Sequence, residues 1–172
     1  MPLPTDASGG LGGGDYFKPV QGQNKILIVG DAVTGYEYWT NADKCHRSQV
    51  KFLETPDIKV RTVKNQKTGV MEEKTDTQKF FWAMPVYDFK DETYKLWQVN
   101  QKKLRDGLAS LQSNEEWGNP IGTYSISIER KGEGLLTEYT MMANPVKDKK
   151  VVEKLMATYQ GSPIDIEEAL FN

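Results

Sequence analysis

The sequence predicts a domain dominated by β-strands, with one or two helices, that closes into a small barrel. The first observation is a hairpin whose arms, 79–87 and 93–99, are rich in aromatic and β-branched residues and are separated by a short polar break. The second is a helix that follows directly, with Asn100 as its candidate N-cap. Its apolar positions recur at i, i+4 and i+7, at Leu104, Leu108 and Leu111. A hairpin that runs into one short helix, with further strands on both sides, indicates a small closed barrel.

A long, bent strand precedes the hairpin. Residues 25–29 form a continuous apolar run, which is typical of a central strand, and Gly30 marks its end or a bend. The strand resumes at 35–39 with alternating aromatic residues. A long first strand that bends at a glycine is what a small barrel needs to turn a corner.

Two further segments are less regular. Residues 40–78 are interpreted as an insertion that carries an extended finger, with arms at 58–63 and 70–74 and a turn at 67–69. Residues 1–15 are so rich in glycine that they cannot bury a core, and we expect them to form a flexible N-terminal arm.

The segment after the helix predicts a second hairpin, a second helix and an acidic tail. Residues 123–131 alternate between apolar and polar side chains and return as 136–142 after a glycine-containing turn. Residues 146–160 have the apolar spacing of a short amphipathic helix, and 161–172 mix acids with large apolar residues that we expect to be exposed. Five principal strands with one helix between the third and the fourth is the order of an OB-fold barrel. We therefore expect residues 16–145 to form a five-stranded OB-fold barrel with an inserted finger.

Composition excludes several classes of protein. No apolar run approaches the roughly 18 residues that span a bilayer, so we expect no membrane segment. Cys45 is the single cysteine, which excludes an intrachain disulfide and favours the cytoplasm. Together with His46 it offers two ligands, fewer than a closed zinc site needs, so we expect no metal and no cofactor. With one histidine, one cysteine and no catalytic motif, we do not expect an enzyme.

Charge is distributed unevenly, although the net charge is only −2. Residues 16–150 contain 21 Lys or Arg against 18 Asp or Glu, whereas 151–172 contain one Lys against four acids. A mildly basic body followed by an acidic tail is more informative than a nearly neutral whole. A balance of +3 over the body could also arise by chance, so charge alone does not decide the ligand.

Four segments, in their order and spacing, carry a family resemblance. They are 16–26 with its Tyr-Phe-Lys-Pro opening, 35–39 (Gly-Tyr-Glu-Tyr-Trp), 81–102 with Phe-Trp-Ala and Leu-Trp-Gln-Val-Asn, and 116–139 with Glu-Trp-Gly-Asn-Pro followed by Ile-Glu-Arg-Lys-Gly-Glu-Gly. The chain thereby resembles the bacteriophage-type single-stranded DNA-binding proteins with an OB-fold, except in 40–78. The resemblance implies sequence-tolerant coating of single-stranded DNA in phage replication, recombination or repair, in the cytoplasm of an infected bacterial host. It also implies an acidic tail that recruits phage or host replication and recombination proteins.

Single strands are held by a basic groove that follows the phosphates and by aromatic faces on which bases stack. The candidate rings are Tyr36, Tyr38, Trp39, Phe80, Phe81, Trp82, Tyr87 and Trp97. About half of them must be core, because a barrel strand sends alternate residues inward, and we favour Trp39 and Trp82 as exposed platforms. The candidate phosphate-binding residues are Lys44, Arg47, Lys51, Lys59, Arg61, Lys79, Lys102 and Lys103.

The acidic tail has two readings. It is either a frayed end or a peptide that docks in a partner protein and competes with DNA for the basic groove, through Asp165, Ile166, Glu167, Glu168, Leu170 and Phe171. The function also keeps an alternative, because OB-type barrels bind proteins, peptides and oligosaccharides as well as nucleic acid. A homo-oligomer is left open.

Overall fold

The computed structural model describes residues 16–114, 124–145 and 149–171, and most of these residues lie in β-strands. The strands are β1 (Gly22–Ile28), β2 (Val33–Trp39), β3 (Cys45–Ser48), β4 (Val60–Lys64), β5 (Met71–Thr75), β6 (Lys79–Asp88), β7 (Thr93–Val99), β8 (Tyr124–Lys131) and β9 (Glu138–Pro145). The helices are α1 (Lys102–Gln112), α2 (Lys149–Gly161) and α3 (Ile166–Phe171). The prediction of a β-dominated domain is confirmed. The N-terminal arm and the Glu-Trp-Gly-Asn-Pro turn lie outside the described residues.

Strand β6 is the centre of one antiparallel sheet. The sheet has the order β3-β2-β6-β1-β8-β9, and β7 pairs with the other edge of β6. The first half of β6 pairs with β2, where Tyr36 is opposite Phe80, and the second half pairs with β1, where Leu27 is opposite Tyr87. β1 and β2 therefore act as one long strand that bends between them, as the sequence predicts. Pro85 packs closely on Gly30 next to this bend, since a Cβ at Gly30 would lie 2.7 Å from Cγ of Pro85.

Helix α1 lies between β7 and β9, two of the edge strands of the principal sheet. It contacts both β7 and β9, and no ladder joins these two strands within the described ranges. The approach to β9 is close, since a Cβ at Gly107 would lie 2.2 Å from Cε of Met141. The sheet and the helix position agree with the expected order, while the closed barrel stays a prediction.

The main core lies on the sheet face that α1 covers, which we call the inner face. Residues that alternate along β6, such as Met84 and Val86, meet Leu104 and Leu108 from α1. The helix begins one residue later than predicted, because its N-cap is Gln101, which makes no side-chain capping hydrogen bond. Asn100 as the N-cap is wrong, since its side chain bonds to a buried carboxylate instead.

The opposite, outer face of the sheet is covered by the C-terminal helices. α2 buries Tyr159 against Leu27 of β1 and Val29, the residue after it, and α3 buries Leu170 against Phe81 of β6. The expected exposure of the tail's apolar residues is therefore wrong. Its apolar side chains pack on the chain's own sheet because the outer face of β6 and β7 is itself apolar.

The finger of the insertion is present as two paired strands. Strands β4 and β5 pair from Val60 opposite Thr75 to Lys64 opposite Met71, and Gly69 has a positive φ of 74° in the turn. Its base is joined to the sheet by an isolated bridge between Thr40 and Ile58 and by the Asn41 side chain. Nδ2 of Asn41 donates to Asp57 and Ile58, and its Oδ1 accepts a hydrogen bond from the Val60 backbone N–H. The prediction of a finger is thus confirmed, with its arms shifted by one or two residues.

Within the described ranges, none of the helices combines the length and the apolar character that a membrane crossing requires.

Candidate nucleic-acid interface

Three aromatic side chains lie side by side on the inner face, beyond the end of α1. Tyr36 and Phe80 are directly opposite each other on β2 and β6, and their ring centroids are 5.3 Å apart at an interplanar angle of 54°. Trp82 lies two residues further along β6 and therefore on the same face. All three side chains are half-buried, so each keeps part of its ring accessible. We call Tyr36, Phe80 and Trp82 the aromatic row.

The aromatic row is continuous with the core. Trp82 packs against the main apolar cluster, and a cavity of about 120 Å³ next to it is lined in part by Met84, Leu108 and Gln112. Packing from below holds these rings in place before any ligand arrives, which lowers the entropy that binding would cost. A row of supported, partly open rings is suited to stacking on flat ligands.

Arg105 of α1 stands over the aromatic row. Its Cζ lies 5.1 Å from the ring centroid of Phe80, which is within the range of a cation–π contact. Its Nη1 donates to the backbone carbonyl oxygens of Phe80, at 2.7 Å, and of Asn100, at 2.8 Å. Within the described part of the chain, Nε and Nη2 make no hydrogen bond, so these donors can meet an anion.

Arg105 is not among the cations predicted from the sequence, which on this helix are Lys102 and Lys103. A signal was present, because Arg105 follows the buried Leu104 and therefore borders the apolar stripe of the helix. A long cationic side chain at that border can reach the neighbouring sheet surface, whereas Lys102 and Lys103 are fully on the exposed side.

Two of the predicted rings, Tyr38 and Trp97, are core residues, and their prediction as base-stacking sites is wrong. Tyr38 is 5% exposed because the loop after β3 lies over it, with the Phe52 ring edge-on at 4.9 Å. Trp97 is 2% exposed and packs edge-on against Phe17 at 5.7 Å. Phe81 is also fully buried, beneath α3.

The remaining two rings lie away from the aromatic row. Tyr87 is on the outer face, where it packs against Phe89 and Tyr94 next to α2, and burial raises the pKa of its hydroxyl. Trp39 is 42% exposed, in agreement with the prediction of an exposed ring. It alternates with Tyr38 along β2 and so projects from the face opposite the row. Only Tyr36, Phe80 and Trp82 of the eight predicted rings are brought together.

Half of the predicted phosphate-binding cations are paired with carboxylates. These pairs are Arg47 with Glu37, Lys59 with Asp43, Arg61 with Asp76, and Lys102 with Asp106. The hydrogen bond from Lys59 lowers the pKa of Asp43. The other four cations are exposed and have no ion-pair partner in the described ranges: Lys44, Lys51, Lys79 and Lys103. Pairing at the surface is weak, so the paired lysines can still exchange partners.

A buried carboxylate network lies behind the aromatic row, on the outer face. Glu37 is 6% exposed and accepts hydrogen bonds from four side chains. The donors and distances are Arg47 Nε at 3.2 Å, Cys45 Sγ at 3.4 Å, Gln98 Nε2 at 2.7 Å and Asn100 Nδ2 at 2.5 Å. We call these five residues the Glu37 network. It joins β2, β3 and the end of β7 across β6.

The Cys45 thiol and the clusters of possible metal ligands were the two candidates for chemistry in the sequence. Burial, together with the neighbouring Glu37, raises the pKa of the Cys45 thiol to about 12, so the thiol stays protonated at neutral pH. Among the described residues, no group of three or more His, Cys, Asp or Glu side chains could hold a metal ion. What the site presents is stacking surface and cationic donors.

Compared with known proteins, the chain matches no family model, no curated protein and no solved structure.

Proposed function

We propose that this protein binds single-stranded DNA without sequence specificity. The observation that carries the proposal is the aromatic row with Arg105 above it: three partly open rings beside a guanidinium whose free donors can meet a phosphate. Bases of any identity can stack on such rings, because every base has a π-face, and the phosphates meet the cations. The unpaired lysines would add further contacts along the strand.

The fold that we propose for this function is the OB-fold. The strand neighbours β7-β6-β1-β8-β9 follow the order of its five strands, and α1 connects the third principal strand to the fourth. Closure would bring β7 next to β9 at the point where α1 now contacts both. The aromatic row lies on β2 and β6, at the open end of this arrangement.

The proposed biological role follows the resemblance to phage-type proteins. The protein would coat single strands during replication, recombination or repair, and its acidic tail would recruit partner proteins. Glu167 and Glu168 are exposed on α3 and are the part of the tail that a partner can reach while Leu170 stays buried.

The test is a titration of the full chain with oligo-dT, followed by tryptophan fluorescence. We expect quenching, because Trp82 would stack on a base. If Arg105 and the four unpaired lysines contact phosphates, the slope of log K against log salt should be roughly −3 to −4. Duplex DNA of the same length should bind more weakly, since its bases are not free to stack.

Two results would contradict the proposal. One is unchanged fluorescence and no retention of oligo-dT at low salt. The other is equal affinity for oligo-dT and duplex, which would indicate binding to phosphates without the aromatic row. Met142→Ala serves as the control for removing an exposed apolar side chain, because Met142 is 65% exposed on β9 and lies outside the row.

A further inference from the structure

The Glu37 network is costly for a chain that needs only a stable fold. A carboxylate that is 6% exposed has lost its water, and replacing a buried ion pair by apolar residues of the same size is often neutral or stabilising. Four donors, two on β3, one on β7 and one directly after β7, nevertheless converge on Glu37. The arrangement therefore suggests a positioning role more than a stabilising one.

One member of the network reaches through to the aromatic row. The Asn100 side chain donates from Nδ2 to Oε1 of Glu37, while its Oδ1 accepts a hydrogen bond from Nε2 of Gln98 at 2.9 Å. The backbone carbonyl of the same residue accepts from Arg105 Nη1. Asn100 thus has its side chain fixed on the outer face and its carbonyl fixed to the guanidinium above Phe80.

We propose that Glu37 is a positioning residue for Arg105: by holding Asn100, it sets the carbonyl that keeps the guanidinium over Phe80, ready for a phosphate. This inference rests on the proposed binding of single-stranded DNA. Glu37, a buried acid on the outer face of the sheet, would thereby contribute to the affinity for an anion.

The substitution Glu37→Gln interrupts this link and preserves the shape of the side chain. A glutamine has one acceptor oxygen and one donor amide, and three of the four neighbouring donors meet Oε2. The lowest-cost orientation places the remaining oxygen toward those three donors. The new NH₂ then faces Nδ2 of Asn100, donor against donor, so the hydrogen bond to Asn100 is lost. An amide flip of Asn100 does not repair this, because its Nδ2 would then face Nε2 of Gln98.

The matched variants separate the link to Asn100 from general damage to the network. Asn100→Ala removes the same link from the other side. Cys45→Ala removes a different donor to the same carboxylate and leaves the Asn100 bond in place. Each variant is checked by circular dichroism and thermal unfolding, so that affinity is compared only between folded proteins.

The experiment is a double-mutant cycle on oligo-dT affinity with Glu37→Gln, Arg105→Ala and the double variant. We expect Glu37→Gln and Asn100→Ala each to weaken binding by about 3- to 10-fold, which is typical of coupling within one hydrogen-bond network. In the Arg105→Ala background, Glu37→Gln should have no further effect. The slope of log K against log salt should become less steep by about 0.7 in each single variant of the cycle, Glu37→Gln and Arg105→Ala, as expected for one lost phosphate contact. Cys45→Ala should bind like the original protein.

Three results would overturn the inference, and they are distinguishable. If the original protein does not bind oligo-dT, the proposed function fails and the inference fails with it. If the original protein binds and Glu37→Gln binds equally well, only the positioning role fails. If Glu37→Gln weakens binding to the same extent with and without Arg105, Glu37 acts through the stability of the sheet and has no positioning role.

Discussion

The docking of the C-terminal helix on the sheet makes the sharpest stability prediction. Leu170 is 4% exposed and lies in a cluster with Phe81, Ala83 and Leu96. Phe171 stacks over Phe81 with ring centroids 6.3 Å apart and an interplanar angle of 22°. Because the apolar surface under α3 is already complete in the sheet, removing the Leu170 side chain leaves a cavity.

The magnitude follows from the burial. Leu→Ala substitutions in cores cost about 2–5 kcal/mol of unfolding free energy. Leu170 lies in a helix of only six residues, which can adjust its position, so we expect the lower part of this range, about 2–3 kcal/mol. For a domain of this size the loss corresponds to a fall in Tm of roughly 5–10 °C. Glu167→Ala, on the exposed side of the same helix, should change the stability by less than about 0.5 kcal/mol.

Urea unfolding and a thermal melt measure both variants, and an oligo-dT titration completes the assay. Since α3 lies on the outer face and the aromatic row on the inner face, Leu170→Ala should leave the affinity for single strands within about twofold of the original at a temperature where both proteins are folded. An unchanged melt would refute the docking argument. A large gain in affinity would show that the tail competes with DNA for the same surface, as one reading of the sequence holds.

Four further predictions concern three positions, Trp82, Cys45 and Gly107. Trp82→Ala should weaken oligo-dT binding by about 1–3 kcal/mol and abolish most of the fluorescence quenching, whereas retained quenching would assign the signal to another of the four tryptophans. Cys45 should react slowly with iodoacetamide at pH 8, since its thiol pKa is about 12, and rapid labelling would contradict its burial. The pKa of the Cys45 thiol in the folded protein is raised above its ordinary value of 9.0. The contribution of Cys45 to stability should therefore be complete below pH 9 and lost as the pH rises toward 12. Urea unfolding at these pH values should show this loss in the original protein and not in Cys45→Ala. Gly107→Ala should change the free energy of unfolding by less than about 1 kcal/mol in the same assay, because the new Cβ meets only the flexible end of the Met141 side chain, and a larger loss would mean that Met141 cannot move away.

Much of the secondary structure could be predicted because its signals are local. The aromatic and β-branched composition of 79–87, the alternation along 123–131, the leucine spacing of α1 and the turn of the finger depend on neighbours a few residues apart. The bend at Gly30 was also readable, since a glycine inside an apolar strand indicates a bulge or a close approach. Asn100 shows the limit: its residue type favours an N-cap, but a hydrogen bond to Glu37, 63 residues away, decides its role.

The candidate site was less predictable, because exposure is a property of what lies above a side chain. Alternation places Phe80 and Phe81 on opposite faces, but it does not say which face is covered. Phe81 is buried by a helix some 85 residues later in the chain. Tyr38 is buried by the loop after β3. The place of Arg105 beside the apolar stripe indicated that it could reach the sheet, but only the folded structure shows that it contacts Phe80.

The sequence by itself determined that this protein is built of β-strands with a finger inserted and a helix after the central hairpin, because periodicity and turn residues act over short distances. Only the tertiary structure decided which rings remain partly exposed, which cation lies over those rings and where the acidic tail packs. Those outcomes depend on contacts between segments far apart in the chain, and such contacts leave no periodic trace in the sequence.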